Sequence, residues 1–401
     1  MGICLWSGIL QLVIISSLAC FQNAQFHYPS TAQVSTSWSI KNLSIPLPLL
    51  PFQIILFDGK RNDGLIRRSN YGFVCGFYFP SDQYDSLFFA VGIVENLGDN
   101  FTSYVDVVWV ANRNKPVGVD AKLQFLPDGN LVLTDADGSL VWSTKTSKRS
   151  VAGMKMMETG NLVLHDSNNK TVWQSFDYPT DSLLLGQKLV KGQRLSACAS
   201  ETNMSEGNYY LSVTSQGLFA FYQANAPQMY FRYLAFEGDM EGIELNYSTS
   251  GTGSLSLYFF ATKPSKPFHF KTVTDYDEIT MPVIKFDSYG HLTLYDHGDS
   301  FSQVDMLAEY MSACEYPNTC GNLKLCSNGG SECSCPAGYV EDDLLSRGCN
   351  EKIQPYAKIR NFNLPNPTFL FAIKMSTILV LSTLMPQFLK EQTWKAVKKH
   401  A

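Results

Sequence analysis

The chain has 401 residues, which is enough for two or three domains of the usual ~100–200 residues each. Hydrophobic residues make up 45% of it, aromatic residues 13% and charged residues 17%, a balance that favours β-rich extracellular modules over a helical cytosolic enzyme. The net charge is −5, and the main body has no basic patch interleaved with aromatic residues, so nucleic acid is not an expected partner.

The first 24 residues have the pattern of a secretory signal peptide. An apolar run extends from Ile9 to Leu18, and small residues suited to cleavage follow at Ala19 and Ala24. No Lys or Arg precedes the run, so an uncleaved membrane anchor is the alternative interpretation.

Five Asn-x-Ser/Thr sequons are spread along the chain. Each is a weak signal alone, but five of them after a signal peptide predict a secreted protein with glycosylated surface loops. The acceptor residues are Asn42, Asn100, Asn169, Asn203 and Asn246.

Strand patterns dominate from Tyr71 onward, and one phrase is repeated. Asp128-Gly129-Asn130-Leu131-Val132-Leu133 recurs 31 residues later as Thr159-Gly160-Asn161-Leu162-Val163-Leu164, and in both copies a Trp follows the Asn by twelve residues. This fixed spacing indicates repeated units that bury their faces against one another. The alternation of Leu with Asn and Val predicts strands whose leucines point inward. A fainter third copy is Tyr289-Gly290-His291-Leu292-Thr293-Leu294.

Two further segments flank the repeats: Val108-Trp109-Val110-Ala111-Asn112-Arg113 before them, and Trp173-Gln174-Ser175-Phe176-Asp177-Tyr178-Pro179-Thr180-Asp181 at their end. Together they resemble the bulb-type mannose-lectin domain, and more closely its tandem form in the extracellular part of plant S-locus-type receptor kinases. The resemblance implies an all-β fold: tandem β-prism domains followed by a small disulfide-rich EGF-like module. We expect Trp109, Trp142 and Trp173 to converge in one core, because Trp is too large and apolar to leave in solvent.

The resemblance and the composition along the chain together predict five segments. They are a signal peptide (1–24), a bulb-type lectin domain (25–195), a second bulb-lectin-like β domain (196–310), an EGF-like module (311–350) and a tail (351–401). In the tail, residues 369–385 form an apolar run just short of the ~20 residues of a normal membrane span. Lys374 interrupts this run and further lysines follow it, as they do at a cytoplasmic flank. A tail without a membrane role is the alternative.

The sugar-binding strand of the family carries the pattern Gln-x-Asp-x-Asn-x-Val-x-Tyr, whose alternate side chains share one face. In the first copy these positions hold Leu126, Asp128, Asn130, Val132 and Thr134. The resemblance therefore makes Asp128, Asn130 and Val132 candidate carbohydrate-binding residues. We expect weak or absent mannose affinity, because Leu126 and Thr134 replace two polar ligands and each unmatched polar group costs free energy. A simple hairpin turn is the alternative, and it is the interpretation we favour for the other two copies.

Six of the ten cysteines lie between residues 314 and 349, in a segment rich in Pro, Gly, Asn and Ser. So short a segment needs disulfides, which persist in an oxidising compartment. Zinc is the competing interpretation, but the segment has no CxxC pair and no nearby His. The Cys333-x-Cys335-Pro336-x-Gly338-Tyr339 signature resembles an EGF-like module, which implies the pairs Cys314–Cys326, Cys320–Cys333 and Cys335–Cys349. Cys75 and Cys198 remain in the lectin region, and we expect them to form one more bridge.

No catalytic pattern stands out: the chain has no Gly-rich phosphate loop and none of the protein-kinase motifs, and we expect no cofactor and no metal. The sequence predicts a non-catalytic extracellular recognition protein or receptor-like ectodomain without the kinase domain. Its expected ligand is a mannose-type glycan or a peptide, and its expected partner is a receptor kinase or a second copy of itself. The alternatives are a functional mannose-binding lectin and a truncated fragment of a membrane receptor serine/threonine kinase. The predicted location is the extracellular space or the outer face of the plasma membrane.

Overall fold

The structure is a computed structural model that describes residues 28–40, 51–58, 71–80, 86–96, 101–234, 240–248, 254–261, 268–274, 281–297, 302–321, 324–327, 332–341 and 349–351. The predicted signal peptide and the apolar run at 369–385 lie outside these ranges. Within them, all regular structure is β-strand apart from two short 3-10 helices, Ser175–Asp177 and Ala313–Glu315. The search for membrane-spanning helices was limited to these residues, and none qualified there. The predicted all-β fold class is confirmed.

The first twelve strands of the described ranges form three four-stranded antiparallel sheets. Their orders are β3-β4-β5-β6, β2-β7-β8-β9 and β1-β10-β11-β12. The strands are β1 (Thr31–Gln33), β2 (Thr36–Ser39), β3 (Phe52–Asp58), β4 (Tyr71–Tyr78), β5 (Phe88–Asn96), β6 (Phe101–Val110), β7 (Lys122–Phe125), β8 (Leu131–Thr134), β9 (Leu140–Ser143), β10 (Gly153–Met156), β11 (Leu162–His165) and β12 (Thr171–Gln174).

The next twelve strands repeat the same topology, with orders β15-β16-β17-β18, β14-β19-β20-β21 and β13-β22-β23-β24. In both groups the first strand joins the last sheet to form along the chain, the second strand joins the middle sheet and the third strand joins the first sheet. The two groups are therefore β-prisms of the same connectivity. The strands are β13 (Ser182–Leu184), β14 (Lys188–Val190), β15 (Arg194–Ser200), β16 (Asn203–Thr214), β17 (Gly217–Gln223), β18 (Pro227–Leu234), β19 (Met240–Ser248), β20 (Ser254–Ala261), β21 (Phe268–Thr274), β22 (Pro282–Phe286), β23 (Leu292–Asp296) and β24 (Ser302–Asp305).

The boundary between the two prisms differs from the position predicted from the sequence. The predicted limit between residues 195 and 196 falls inside β15, so β13 and β14 lie in the range assigned to the first domain. These strands nevertheless pair with β22 and β19 of the second group. They are only three residues long and carry no copy of the repeated phrase, so nothing local marks them as the start of a new domain.

Four short strands follow: β25 (Leu325–Ser327), β26 (Glu332–Ser334), β27 (Tyr339–Glu341) and β28 (Cys349–Glu351). The disulfides join Cys314 to Cys326, Cys320 to Cys333 and Cys335 to Cys349, with Cα–Cα distances of 5.5, 5.4 and 5.7 Å, which are the pairs that the EGF-like resemblance implies. Both prisms and all three disulfides belong to one compact unit, residues 1–336 with 342–349. A second unit is residues 337–341 with 350–401, of which the structure describes 337–341 and 350–351.

The core of the first prism is organised around three tryptophans, each from the last strand of one sheet. The ring centroids are 5.9 Å apart for Trp109 and Trp142, 6.0 Å for Trp109 and Trp173, and 5.9 Å for Trp142 and Trp173. All three pairs are edge-to-face, the arrangement that aromatic quadrupoles favour. The leucines of the repeated phrase point into this core, and Leu131 and Leu133 are fully buried.

The second prism fills the equivalent volume without tryptophan. Trp173 lies opposite Leu164 in the first prism, and the residue opposite the matching Leu294 is Val304. Trp109 lies opposite Val91, and the matching position opposite Ala220 is Phe231. Tyrosines supply the missing volume: Tyr209 lies 5.0 Å from Tyr222 and 6.2 Å from Tyr230 between ring centroids.

Arg113 of the motif before the repeats joins the two prisms. Its guanidinium is buried and donates from Nε to the Met204 carbonyl at 3.0 Å and from Nη1 to the Ser196 carbonyl at 2.7 Å. Its Nη2 also donates to the Cys198 Sγ at 3.3 Å. A single side chain of the first prism therefore satisfies backbone carbonyls on both β15 and β16 of the second.

The predicted bridge between Cys75 and Cys198 is wrong, because both cysteines are free. Cys75 is fully buried in the hydrophobic core of the first prism, where burial raises the pKa of its thiol far above the ordinary value. Cys198 lies beside Arg113 at the prism junction, and its thiol donates to the Asp181 Oδ2 at 3.2 Å. An even count of leftover cysteines suggested a pair, but the two side chains belong to different packing environments.

We expect Trp142→Ala to destabilise the protein by ~3–5 kcal/mol, because it removes one of three mutually packed rings and leaves a cavity. Urea unfolding followed by tryptophan fluorescence gives the free energy of unfolding. Leu140→Ala, two residues earlier on the same strand and 61% exposed, is the matched control. We expect the control to change stability by less than ~0.5 kcal/mol. Equal effects of the two substitutions would contradict the packing role of Trp142.

A second prediction concerns the stability of the protein at low pH. The Lys285 Nζ lies 2.6 Å from the Asp106 Oδ1 across the prism junction, and the His297 Nε2 lies 3.1 Å from the Asp106 Oδ2. Burial by itself would raise the pKa of Asp106, but the Lys285 charge and the two hydrogen bonds outweigh burial and hold that pKa well below its usual range. A depressed folded-state pKa gives stability that is present above the unfolded value of ~3.9 and is lost as the pH falls below it.

We therefore expect the free energy of unfolding to fall more steeply between about pH 4 and pH 2 in the wild type than in the double variant Asp106→Asn/Lys285→Met. The double variant is used because a single substitution leaves one buried charge unpaired, at a cost of ~3–5 kcal/mol. Urea titrations at each pH measure the slopes. Parallel slopes would show that this ion pair does not link folding to pH.

Candidate functional site

All three copies of the repeated phrase fold into the same hairpin turn. In the first, the Leu126 N–H donates to the Asn130 carbonyl at 2.8 Å and the Gly129 N–H donates to the Leu126 carbonyl at 3.0 Å. The same two bonds recur between Met157, Gly160 and Asn161 and between Asp287, Gly290 and His291. The three glycines have φ angles of 85°, 81° and 88°, a left-handed conformation that favours glycine. The faint third copy is therefore a structural equivalent of the other two.

The first copy presents its candidate residues in two different settings. Asn130 and Val132 lie on the half-buried face of the β8 hairpin, opposite the inward leucines. Asp128 does not lie on the strand: it is exposed in the turn, where its Oδ1 accepts the Asn130 N–H at 3.1 Å. The alternation assumed for a single sugar-binding strand thus holds for Asn130 and Val132 but not for Asp128.

One atom of the Asn130 side-chain amide, the Oδ1, is bonded within the described part of the fold, and the other, the Nδ2, is not. Its Oδ1 accepts hydrogen bonds from the Thr144 Oγ1 and from the Thr146 N–H, both at 3.1 Å. Thr144 in turn accepts the Leu131 N–H at 3.1 Å, so the three residues clamp the start of β8 to the end of β9. Within the described ranges the Asn130 Nδ2 has no hydrogen-bond partner. Both N–H donors of this Nδ2 therefore remain for a ligand.

Asn161 in the second copy is used entirely by the fold. It is buried, its Nδ2 donates to the Gln174 Oε1 at 2.9 Å, and its Oδ1 accepts from the Ser175 Oγ at 3.2 Å and the Phe176 N–H at 3.3 Å. The Ser175 Oγ accepts the Leu162 N–H at 3.0 Å, as Thr144 does for the first copy. This site offers a sugar no free amide.

The third copy is used for docking the cysteine-rich segment. The His291 Nδ1 lies 2.8 Å from the Asp305 Oδ2, and the His291 ring stacks on Tyr316 with centroids 3.9 Å apart. The Tyr316 hydroxyl donates to the same Asp305 oxygen at 2.7 Å. Burial would lower the pKa of His291, but Asp305 and Asp287 raise it overall. His291 therefore acts as a structural contact between the second prism and the first disulfide loop.

The clamp hydroxyls Thr144 and Ser175 were not singled out from the sequence. Each follows its tryptophan by two residues, so a hydroxyl at a fixed distance after Trp142 and Trp173 was the available signal. Apolar periodicity does not report it, because the clamp depends on which polar atoms meet across a hairpin.

The glycosylation acceptors fall into two groups. Asn169, Asn203 and Asn246 are exposed, and the Ser205 hydroxyl of one sequon donates to the Asn203 Oδ1 at 2.7 Å. Asn42 and Asn100 lie outside the described residues. The three described acceptors can therefore carry a glycan without unfolding of the surrounding strand.

The two clamps predict unequal costs for equivalent substitutions. Asn161→Ala leaves a buried Ser175 hydroxyl and the Phe176 N–H without their acceptor, so we expect a loss of ~1–3 kcal/mol or more. Asn130→Ala is its matched control: Asn130 itself is only half-buried, and the Thr144 hydroxyl keeps the Thr146 Oγ1 at 2.7 Å as a partner, so we expect a smaller loss. Chemical denaturation of both variants measures the difference. A larger loss for Asn130→Ala would contradict the assignment of Asn161 as the fully structural copy.

The comparisons with known proteins agree with this architecture. The family model for the D-mannose binding lectin matches residues 106–202. The chain is 35% identical over 258 residues to EP1-like glycoprotein 3 of Arabidopsis thaliana, a match that covers 57% of this chain and 56% of that protein. It is 32% identical over 278 residues to the epidermis-specific secreted glycoprotein EP1 of Daucus carota, covering 60% of this chain and 71% of that protein.

A G-type lectin S-receptor-like serine/threonine-protein kinase of Arabidopsis thaliana is 30% identical over 298 residues, which cover 70% of this chain but only 31% of the kinase. The chain also spans less than two thirds of EP1-like glycoprotein 3. Tandem prisms, the tryptophan core and these identities lead to one conclusion. The chain belongs to the plant bulb-type lectin family that includes the EP1 glycoproteins and the G-type lectin S-receptor-like proteins.

Proposed function

We propose that this chain is a non-catalytic extracellular recognition protein that binds carbohydrate through its prism surfaces. The disulfide-stapled segment suits an oxidising compartment, and the exposed sequons suit a glycoprotein. Family membership supports the ligand class, since the matched family is described as a D-mannose binding lectin. The relative from Daucus carota is a secreted glycoprotein, which supports a location outside the cell.

The observation that carries the proposal is the half-used amide of Asn130. Its Oδ1 is engaged by Thr144 and Thr146, while its Nδ2 makes no hydrogen bond to a described residue. The Asp128 Oδ1 is used by the turn, while its second oxygen is exposed and can accept from a sugar hydroxyl. Val132 adds an apolar contact next to them. This is a small set of polar groups, as in a sugar subsite of low affinity.

The residues at positions 126 and 134, which differ from the family pattern, determine the expected affinity for mannose. Leu126 can neither donate nor accept, and Thr134 is shorter than the Tyr that the family pattern carries there. Each missing hydrogen bond is worth ~0.5–1.5 kcal/mol, so two of them weaken binding by roughly one to two orders of magnitude. We therefore propose that mannose recognition by the first copy is weak, and that a functional mannose-binding lectin is the less favoured alternative.

A second candidate role is pairing with a receptor kinase. It is favoured by the match to a G-type lectin S-receptor-like serine/threonine-protein kinase over 70% of this chain. A protein with the same prisms can occupy the ligand or partner surface of such a receptor and act as a decoy. Co-precipitation of this chain with the ectodomain of that kinase tests the proposal, with the chain's own self-association as the competing outcome.

We predict that isothermal titration calorimetry with methyl α-mannoside gives a dissociation constant in the millimolar range or no measurable heat for the wild type. Asn130→Ala should remove whatever binding remains, because it deletes the free donor. The double variant Leu126→Gln/Thr134→Tyr restores the two polar side chains, so we expect its affinity to rise by about tenfold or more.

The melting temperature of each variant serves as the control for folding. Micromolar binding by the wild type would contradict the weak-site proposal. No gain on restoration would mean that the β8 hairpin does not present positions 126 and 134 to the same ligand.

A further inference from the structure

An exposed aromatic ring is held rigidly at the end of the tryptophan core. Tyr178 is 56% exposed, yet its ring stacks on the buried Trp173 with centroids 5.6 Å apart and planes inclined by 18°. Its backbone N–H donates to the Ser175 carbonyl at 3.0 Å, and its carbonyl accepts the Trp109 Nε1–H at 2.8 Å. The ring is therefore fixed from one side and open to solvent on the rest of its surface.

The preceding carboxylate is fixed in the same way. Asp177 is exposed, and its Oδ1 accepts from the Gln174 Nε2 at 2.8 Å. Gln174 is itself held by the buried Asn161, and the Asp177 carbonyl accepts from the Gln193 Nε2 at 2.9 Å. The second carboxylate oxygen makes no hydrogen bond to any described residue. An anchored acceptor and an anchored aromatic ring thus lie on two consecutive exposed residues.

A purely structural role accounts for only part of this arrangement. Covering Trp173 requires an apolar side chain, and leucine or phenylalanine would do so. It does not require an anchored, unshared carboxylate oxygen beside the ring, nor a chain of hydrogen bonds from Asn161 through Gln174 that fixes the carboxylate. Preorganised groups of this kind lower the entropy cost of binding a ligand.

We infer that Asp177 and Tyr178 form a second carbohydrate subsite, specific for a neutral pyranose ring. The inference rests on the proposed function of glycan recognition but uses residues separate from the first repeat. The C–H face of the sugar packs on the open part of the Tyr178 ring, where the aromatic quadrupole is negative. Adjacent sugar hydroxyls donate to the free oxygen of Asp177.

The charge of Asp177 sets the specificity. A carboxylate only accepts hydrogen bonds, so it suits the hydroxyl donors of neutral sugars. A uronic acid brings a second carboxylate near the first, and the two like charges repel. β-Linked glucose is the most suitable probe, because its equatorial substituents leave only C–H groups on both ring faces.

The test is calorimetry on the full chain with a hexasaccharide of β-1,4-linked glucose and, separately, a hexasaccharide of galacturonic acid. We expect saturable binding of the neutral probe and weaker binding of the acidic one. Tyr178→Leu still covers Trp173 but removes the ring, so we expect roughly a tenfold loss of affinity with little change in melting temperature. Tyr178→Phe, the matched control, keeps the ring and should bind nearly as well as the wild type.

If Tyr178→Leu lowers the melting temperature strongly, Asp177→Asn decides, since its amide oxygen can still accept from Gln174. We expect this variant to bind the neutral probe more weakly and to discriminate less against the acidic probe. The inference is overturned if the wild type binds no neutral probe up to millimolar concentration, if the acidic probe binds more tightly, or if neither variant weakens binding.

Asn130→Ala separates this subsite from the first repeat. Binding of the glucose probe should fall further in Tyr178→Leu than in Asn130→Ala. If binding is instead lost in Asn130→Ala and retained in Tyr178→Leu, the first-repeat proposal stands and the second subsite fails.

Discussion

The mutual edge-to-face packing of Trp109, Trp142 and Trp173 is the contact on which the first prism depends. Each sheet contributes one ring, so no sheet can bury its inner face unless the other two are in place. Centroid separations of 5.9 to 6.0 Å keep the three rings equivalent. The Trp109 Nε1–H also needs an acceptor when buried, and the Tyr178 carbonyl supplies it. Through this hydrogen bond the tryptophan core holds Tyr178 and the residues that follow β12 in place.

The second prism has the same connectivity as the first but no tryptophan core. The residues that replace the tryptophans determine what its hairpins contact. Phe231 and Val304 occupy two of the three equivalent positions, and tyrosines complete the packing. Tyrosine hydroxyls need partners: the Tyr230 hydroxyl donates to the Gly290 carbonyl at 2.6 Å within the prism, and the Tyr209 hydroxyl accepts from the Asn318 Nδ2 at 3.1 Å in the following segment. The first disulfide loop thus supplies the hydrogen-bond partner of Tyr209. His291 belongs to the surface on which this loop packs.

Local periodicity carried most of the information that the sequence offered about the fold. The alternation in Leu131-Val132-Leu133 and the fixed distance to the tryptophans predicted strands, inward leucines and one shared core. It could not predict that β13 and β14 leave the first prism, because their partners lie about 50 to 100 residues away and nothing in three residues specifies them. Nor could the sequence show that Cys75 and Cys198 are unpaired, because the number of cysteines does not indicate where each side chain packs.

The site residues show the same division between local and long-range information. An asparagine at a fixed place in a repeat can bind a ligand or tie a hairpin together, and the same atoms cannot do both at once. In Asn161 both the Nδ2 and the Oδ1 hydrogen-bond within the hairpin, whereas the Nδ2 of Asn130 bonds to no described residue. Recognition by these prisms must therefore rely on polar groups that the repeats do not consume. Asp177 meets that condition because Asn161, through Gln174, orients its carboxylate without occupying the second oxygen. The hydrogen bond from Asn161 to Gln174 that engages the Asn161 amide is also the one that orients Gln174 toward the Asp177 carboxylate, next in sequence to the exposed Tyr178.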